Sequence, residues 1–283
     1  MDEDNGPASA GMTPMVQVPL EERARRIRRT ILRLAATPVG CHLGGSLSMV
    51  ELLVVLLGRV MNVRPQEPRW EERDSLILSK GHAAAGLYAA LAEFGFIDAE
   101  ELVQRYNAEG SPYTGHVSAA VPGVEFPTGS LGHGVGLGVG MALGHRLRQR
   151  ANRVFVICGD GEMGEGSNWE ALQIAAQHKL SGLTVLVDRN GGQNDGPTES
   201  ILSQAALVQR LSAFGLGTVE VDGHDLEALA SALEAPAEGP RAIVANTKKG
   251  AGVPMLRGKG PHYATFNPEQ LKRALASLGE VTP

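Results

Sequence analysis

The residues best placed to do chemistry stand at the ends of two apolar runs. The run 154–162 reads Val-Phe-Val-Ile-Cys-Gly-Asp-Gly-Glu, and the run 183–190 reads Leu-Thr-Val-Leu-Val-Asp-Arg-Asn. Each is β-branched and apolar, as expected of a strand buried on both faces. Each ends abruptly, the first in Asp160 between Gly159 and Gly161, the second in Asn190. A carboxylate and an amide oxygen are hard ligands suited to Mg²⁺ or Ca²⁺. Mg²⁺ commonly takes only one or two carboxylates and completes its shell with phosphate oxygens and water. The glycines beside Asp160 let a diphosphate approach the backbone, and a following helix aims its N–H groups at the same spot. Taken alone, Gly-Asp-Gly reads equally well as a strand-end turn with an aspartate cap. A second strand ending in Asn190 favours the functional reading.

The elements that must position this pair follow from the pattern around it. Segment 167–179 carries Trp169, Leu172, Ile174, Ala175 and Ala176 at roughly helical spacing. That makes a strand–helix–strand unit with Asp160 and Asn190 at the carboxyl ends of two parallel strands, the rim where open α/β sheets bind ligands. The alternation continues through helix 203–214, strand 218–221, helix 225–233, strand 242–246 and helix 268–278. The expected fold is α/β, a parallel sheet with helices on both faces. Upstream, 20–36 reads as an amphipathic helix with Ile27, Ile31, Leu32 and Leu34 inward and its arginines on a solvated face. Ser46 can cap a helix over 47–60. Segment 73–83 reads as a short strand turning into a helix, and Asp98 as the N-cap of helix 98–106. Segment 128–134 starts a long helix running to about Arg150, with glycines recurring at 132, 134, 136, 138 and 140. Each costs about 1 kcal/mol against alanine, so this helix should pack backbone-close against another element. No dinucleotide-binding register of glycines occurs in it.

Gly159-Asp160-Gly161, with Asn190 ending the next strand, resembles the thiamine diphosphate signature. The flanking Glu162-Met163-Gly164-Glu165-Gly166-Ser167-Asn168-Trp169-Glu170-Ala171 resembles transketolase, and the likeness runs from about Arg25 to His262. The resemblance implies a diphosphate-binding domain in which Asp160, Asn190 and the main-chain carbonyl of Gly192 hold Mg²⁺, with Ca²⁺ a possible substitute. Gly159, Gly161 and Glu162 would lie at the cofactor. It implies that His42, in a glycine-bracketed loop, meets the substrate's reacting end. His82 and His262 would contact the diphosphate, His116 would face the substrate channel, and the backbone of Gly129 and Leu131 would lie beside the aminopyrimidine ring. Glu165 resembles a glutamate that couples paired sites across the subunit interface. Cys41, Val117 and Asn194 depart from the family pattern. The family also has a pyrimidine-binding domain, whose glutamate activates the coenzyme, and a third domain. The resemblance covers only the first, which implies a separately encoded partner subunit, an α2β2 heterotetramer and sugar-phosphate substrates. Lys248 and Lys249 resemble part of a Lys-Gly-x-Gly-Val motif, and could otherwise be a phosphate loop or a solvated turn. A split decarboxylase or synthase with the same cofactor is the alternative activity. A catalytically idle scaffold would not need Asp160, Asn190, His42 and His82.

With 283 residues the chain can bury one large α/β core. A net charge of −5 makes no case for nucleic acid. Cys41 and Cys158 sit in apolar or glycine-rich contexts, which suggests a reducing compartment without a disulfide framework. No apolar run reaches the roughly 18 residues of a membrane span. The start, 1–18, is acidic and Gly/Pro-rich, unlike a signal peptide. It is expected to be a flexible tail before a domain over 19–283, and the protein to be cytoplasmic.

Overall fold

The computed structural model describes residues 18–256 and 262–279. All but the last residue of the expected tail lies outside the described residues. Five parallel strands form the central sheet: β1 (Ser75–Leu78), β2 (Val154–Gly159), β3 (Leu183–Arg189), β6 (Gly217–Asp222) and β7 (Arg241–Asn246). Their spatial order is β1-β2-β3-β7-β6. Between β3 and β6 lies a small antiparallel pair, β4 (Gly192–Gln193) with β5 (Gly196–Pro197). The helices are α1 (Leu20–Ala35), α2 (Leu43–Ser48), α3 (Val50–Val55), α4 (Ala84–Glu93), α5 (Ala99–Arg105), α6 (Gly134–Leu147), α7 (Gly166–Gln177), α8 (Thr198–Ile201), α9 (Leu207–Ala213), α10 (Leu226–Glu234) and α11 (Pro268–Ser277).

Alternate residues of β1, β2, β3 and β7 feed opposite faces of the sheet, as the two-residue repeat requires, while β6 at the sheet's edge has no buried residue. Leu76, Leu78, Phe155, Ile157, Leu186, Ile243 and Ala245 join a core with α1–α4 and α10. Ile77, Val154, Val156, Cys158, Val185, Val187 and Val244 join a second core with α6, α7 and α9. Both faces are therefore covered, and the strand interiors can be apolar throughout. In register, Val154 pairs with Leu183 and Gly159 with Asp188, so Asp160 and Asn190 emerge from adjacent strand tips. The chain leaves β3 toward α9 in the second core and leaves β7 toward α11, whose Ala274 lies in the first. That divergence between neighbouring strands is the crevice where such sheets bind ligands.

Several expected elements change in detail. Segment 47–60 is not one helix. It breaks at Met49, whose φ is −101° and ψ 11°, and ends in a π turn over Leu56–Val60. Ser46 lies inside α2 and donates to the carbonyl of His42 at 2.6 Å, so it is not the cap. Segment 203–214 is helical only from Leu207, because Ser203 and Gln204 are drawn back onto the carboxylate of Glu199. The arginines of α1 are not simply solvated: Arg28 is buried and paired with Glu51 at 2.6 Å. Asp98 does cap α5, accepting from Glu101 N at 2.7 Å. The glycines of α6 divide by face. A Cβ at Gly134 or Gly138 would meet Ser79 or Val156 within 2.5 Å, whereas Gly136, Gly140 and Gly144 face open space.

Candidate active site

A cavity of about 360 Å³ opens over the carboxyl ends of β1, β2, β3 and β7. Every site residue expected from the sequence lines it: His42, His82, His116, His262, Gly129, Leu131, Gly159, Asp160, Gly161, Glu162, Glu165, Asn190 and Gly192. It is also lined by Gly45, Lys80, Gln193, Asn194, Asp195 and Lys249, to which sequence reasoning assigned no definite role. For Lys80 the available signal was its place one residue before Gly81-His82, at the tip of a short apolar strand.

One wall carries the oxygen donors expected from the sequence. Asp160 is 2% exposed. Its Oδ1 accepts from Gly161 N at 3.0 Å, and its Oδ2 from Gly191 N at 2.9 Å and Thr198 Oγ1 at 3.0 Å. Burial pushes its pKa up, an effect these donors and nearby Asp188 modify. A carboxylate offers about four acceptor positions, so three donors leave one for a cation, and a desolvated anion is stabilised by one. Asn190 points Oδ1 at Gly192 N, 3.1 Å away, and Nδ2 at Asp188 Oδ2, also 3.1 Å. The Gly192 carbonyl accepts from Lys249 Nζ at 3.4 Å. No group of three His, Cys, Asp or Glu side chains able to hold a metal occurs among the described residues. A cation here would therefore rely on one carboxylate, one amide and main-chain oxygen, a hard donor set that fits Mg²⁺ with a diphosphate.

Glu162 shapes the floor rather than reaching into it. It is buried, and its Oε1 accepts from Ser79 Oγ and from Gly132 N at 2.9 Å, its Oε2 from Gly159 N at 3.0 Å. It thereby ties the tip of β2 to the segment before α6. Gly81 completes that junction: a Cβ there would lie 2.4 Å from the backbone of Thr128, so only glycine lets the 128–129 segment cross the end of β1. Glu165 is exposed at the rim.

The other wall is imidazole. The ring centre of His42 is 5.4 Å from His82, 5.5 Å from His116 and 5.1 Å from His262, and His82 is 5.2 Å from His262. The Nδ1 of His42 is buried and has no hydrogen-bond partner among the described residues, a polar atom awaiting a ligand. Burial, then neighbouring His262 and His116, lowers the His42 pKa to about 4. Burial, then Lys80 and the other histidines, lowers that of His82 to about 2. Both rings are neutral at pH 7 and can each donate and accept a hydrogen bond.

This neutrality has a measurable consequence. Below pH 6.5 an unfolded histidine takes up a proton that folded His82 refuses. Stability is thus complete above about pH 6.5 and falls with pH, by about 1.4 kcal/mol per unit for one such group. Half-buried His42 adds less, because solvent screens it. Asp160 and Glu162, raised by burial, act in the opposite sense. The clean quantity is the difference between the parent and a His82→Gln variant in denaturant titrations from pH 6 to 4.5. The parent should lose stability faster as pH falls, and identical slopes would mean that His82 charges normally in the folded state.

A larger open cavity, about 700 Å³, lies behind the 248–254 turn. Its polar groups serve one another: Arg28 pairs with Glu51, Glu51 with His224 Nδ1 at 3.2 Å, and Lys248 N donates to His224 Nε2 at 3.0 Å. This relay fixes the turn that carries Lys249 into the smaller cavity.

A parallel α/β sheet with a buried aspartate, a neighbouring amide and a glycine-bared rim at its strand tips is a ligand-binding domain whose cavity lies at the carboxyl ends of the strands. Residues 23–281 match the family model described as transketolase, thiamine diphosphate binding domain. The chain belongs to the transketolase family, a family of transferases. It is 40% identical over 264 residues to a protein of Actinobacillus succinogenes named as a subunit of apulose-4-phosphate transketolase, covering 92% of this chain and 95% of that protein. It is 38% identical over 268 residues to the 6-deoxy-6-sulfo-D-fructose transketolase subunit SqwG of a Clostridium species, covering 93% of this chain and 97% of that one. The crystal structure of transketolase from Campylobacter jejuni superposes with a TM-score of 0.86 at 29% identity, over 92% of this chain but 42% of that enzyme. The chain therefore spans under half the length of that solved transketolase. Among the described residues no helix is long and apolar enough to cross a membrane.

Proposed function

We propose that this chain, as a domain over 19–283, is the N-terminal subunit of a two-chain transketolase of the cytoplasm. It transfers a two-carbon ketol unit from a ketose phosphate to an aldose acceptor, using thiamine diphosphate and Mg²⁺. Its partner is a separate C-terminal subunit with the pyrimidine-binding domain, in an α2β2 assembly. The observation that carries this reading is the convergence of Asp160, Asn190 and four histidines on one cavity. End-to-end similarity to two proteins named as transketolase subunits supports the split.

In this reading Asp160, Asn190 and the Gly192 carbonyl hold the cation, and Gly159 and Gly161 leave room for the diphosphate. His82 and His262 donate to the diphosphate. The coenzyme, when bound, supplies a stabilised carbanion for carbon–carbon bond cleavage and formation. His42 and His116, mutually adjacent, hold the substrate's hydroxyl and carbonyl oxygens and can exchange protons with them. Gly129 and Leu131 lend main-chain atoms to the ring, and Glu165 at the rim faces the neighbouring protomer. The test offers the reconstituted pair xylulose 5-phosphate, hydroxypyruvate and pyruvate, each with and without an aldose acceptor. Acceptor-dependent turnover of the ketose phosphate is expected. Turnover of pyruvate alone, indifferent to aldoses, would replace the proposal with a decarboxylase or synthase.

A further inference from the structure

Beneath the proposed metal site lies a buried ion pair that the reaction itself does not call for. Lys80 is 1% exposed and Asp188 is 0% exposed. Asp188 Oδ2 accepts from Lys80 Nζ, from Ser48 Oγ at 2.6 Å and from Asn190 Nδ2 at 3.1 Å, while its Oδ1 accepts from Thr247 Oγ1. Lys80 Nζ also donates to the Gly45 carbonyl at 2.9 Å. One carboxylate thus gathers the tips of β1, β3 and β7 and the end of α2. A buried pair of this kind is weak evidence for stability, since apolar replacements are often as good. Its geometry is better explained by what it does to Asn190.

An amide side chain can be turned end for end, exchanging its oxygen and nitrogen. With Nδ2 on Asp188, Oδ1 of Asn190 must face the cavity, where it meets Gly192 N. Turned over, the oxygen would face a carboxylate and the NH₂ would face both an N–H and any cation. We propose that Asp188 is a positioning residue, which holds the Asn190 amide with its oxygen toward the divalent cation. The role rests on the metal reading above and corresponds to the outer-shell partners that orient ligands in metal sites, whose loss typically costs 10–100-fold in affinity. Because Gly192 N supports the same orientation, the lower end of that range, about tenfold, is expected.

The test compares two double variants that remove the same charges. Lys80→Met with Asp188→Leu leaves the Asn190 NH₂ only the Ser48 hydroxyl, at 3.5 Å, whereas Lys80→Met with Asp188→Asn keeps an acceptor oxygen in place of the carboxylate. Mn²⁺ is the probe, titrated into the assembled pair at saturating thiamine diphosphate and followed by electron paramagnetic resonance, beside a thermal melt. The leucine double should bind Mn²⁺ about tenfold more weakly than the asparagine double at a similar Tm. Equal affinities would overturn the role of Asp188. A parent complex that takes up no Mn²⁺ would instead overturn the metal reading. Should the variants not fold, the parent chain still decides. The Asn190 side-chain NH₂ protons should exchange slowly in NMR, being bonded to a buried carboxylate, and fast exchange would overturn the proposal.

Discussion

An Asp160→Ala protein should lose coenzyme binding and ketol transfer together, even with its partner present. The carboxylate is the only charged ligand in the proposed donor set, so its loss exceeds that of an outer-shell partner. Mg²⁺-dependent affinity for thiamine diphosphate should fall more than ~100-fold, about 2.7 kcal/mol. Part of that loss could come from the loop, because Asp160 also anchors Gly191 and Thr198. Asp160→Asn separates the two effects: it keeps an acceptor for the loop but removes the charge. The asparagine variant should melt near the parent temperature and still need far more Mg²⁺. Asn190→Ala, which removes a neutral ligand, should cost less than either. Calorimetry of the assembled complex reads all three. Parent-like affinity and Mg²⁺ dependence in Asp160→Ala would remove the cation from the site.

How far such a site can be read from a chain alone depends on whether its signal is local. The strands β2, β3 and β7 were legible because a strand covered on both faces must be apolar along its length. Their abrupt polar ends mark the rim; the glycine-flanked aspartate alone reads equally well as a turn, and Asn190 ending the next strand tips the reading toward a site. The break at Met49 was not legible: every residue from 50 to 56 is buried, so no polar face sets a helical phase. The β4–β5 hairpin is too short for any alternation to show. Which glycines of α6 are packed and which are bare depends on the helix's rotation against the sheet. The Lys80–Asp188 pair was invisible for a different reason. A lone lysine and a lone aspartate, 108 positions apart, read as surface charges until the topology puts β1 and β3 around the same crevice.

The other large effect concerns the activity of the isolated chain under the two-chain reading. Its cavity supplies carboxylate, amide and imidazole groups. Family resemblance assigns the carboxylate that activates the aminopyrimidine to a different domain. A positioned proton-transfer partner is typically worth 10²–10⁴-fold. The isolated chain should therefore show ketol transfer at least ~10²–10⁴-fold below the reconstituted pair, in practice at background. Adding the partner should restore activity with saturation near one partner per chain. In the two-chain reading a partner could cover α6, which bares Gly136, Gly140 and Gly144, together with Leu147, 81% exposed, and Ile174 of α7, 48% exposed. Small residues without packing partners let another backbone approach closely, and isolated apolar residues gain about 25 cal/mol per Å² when covered. Sedimentation of the chain alone and with its partner, run beside the assay, separates failed assembly from failed chemistry. Full activity from the purified chain would mean that it contains its own activating carboxylate, and the two-chain reading would fall.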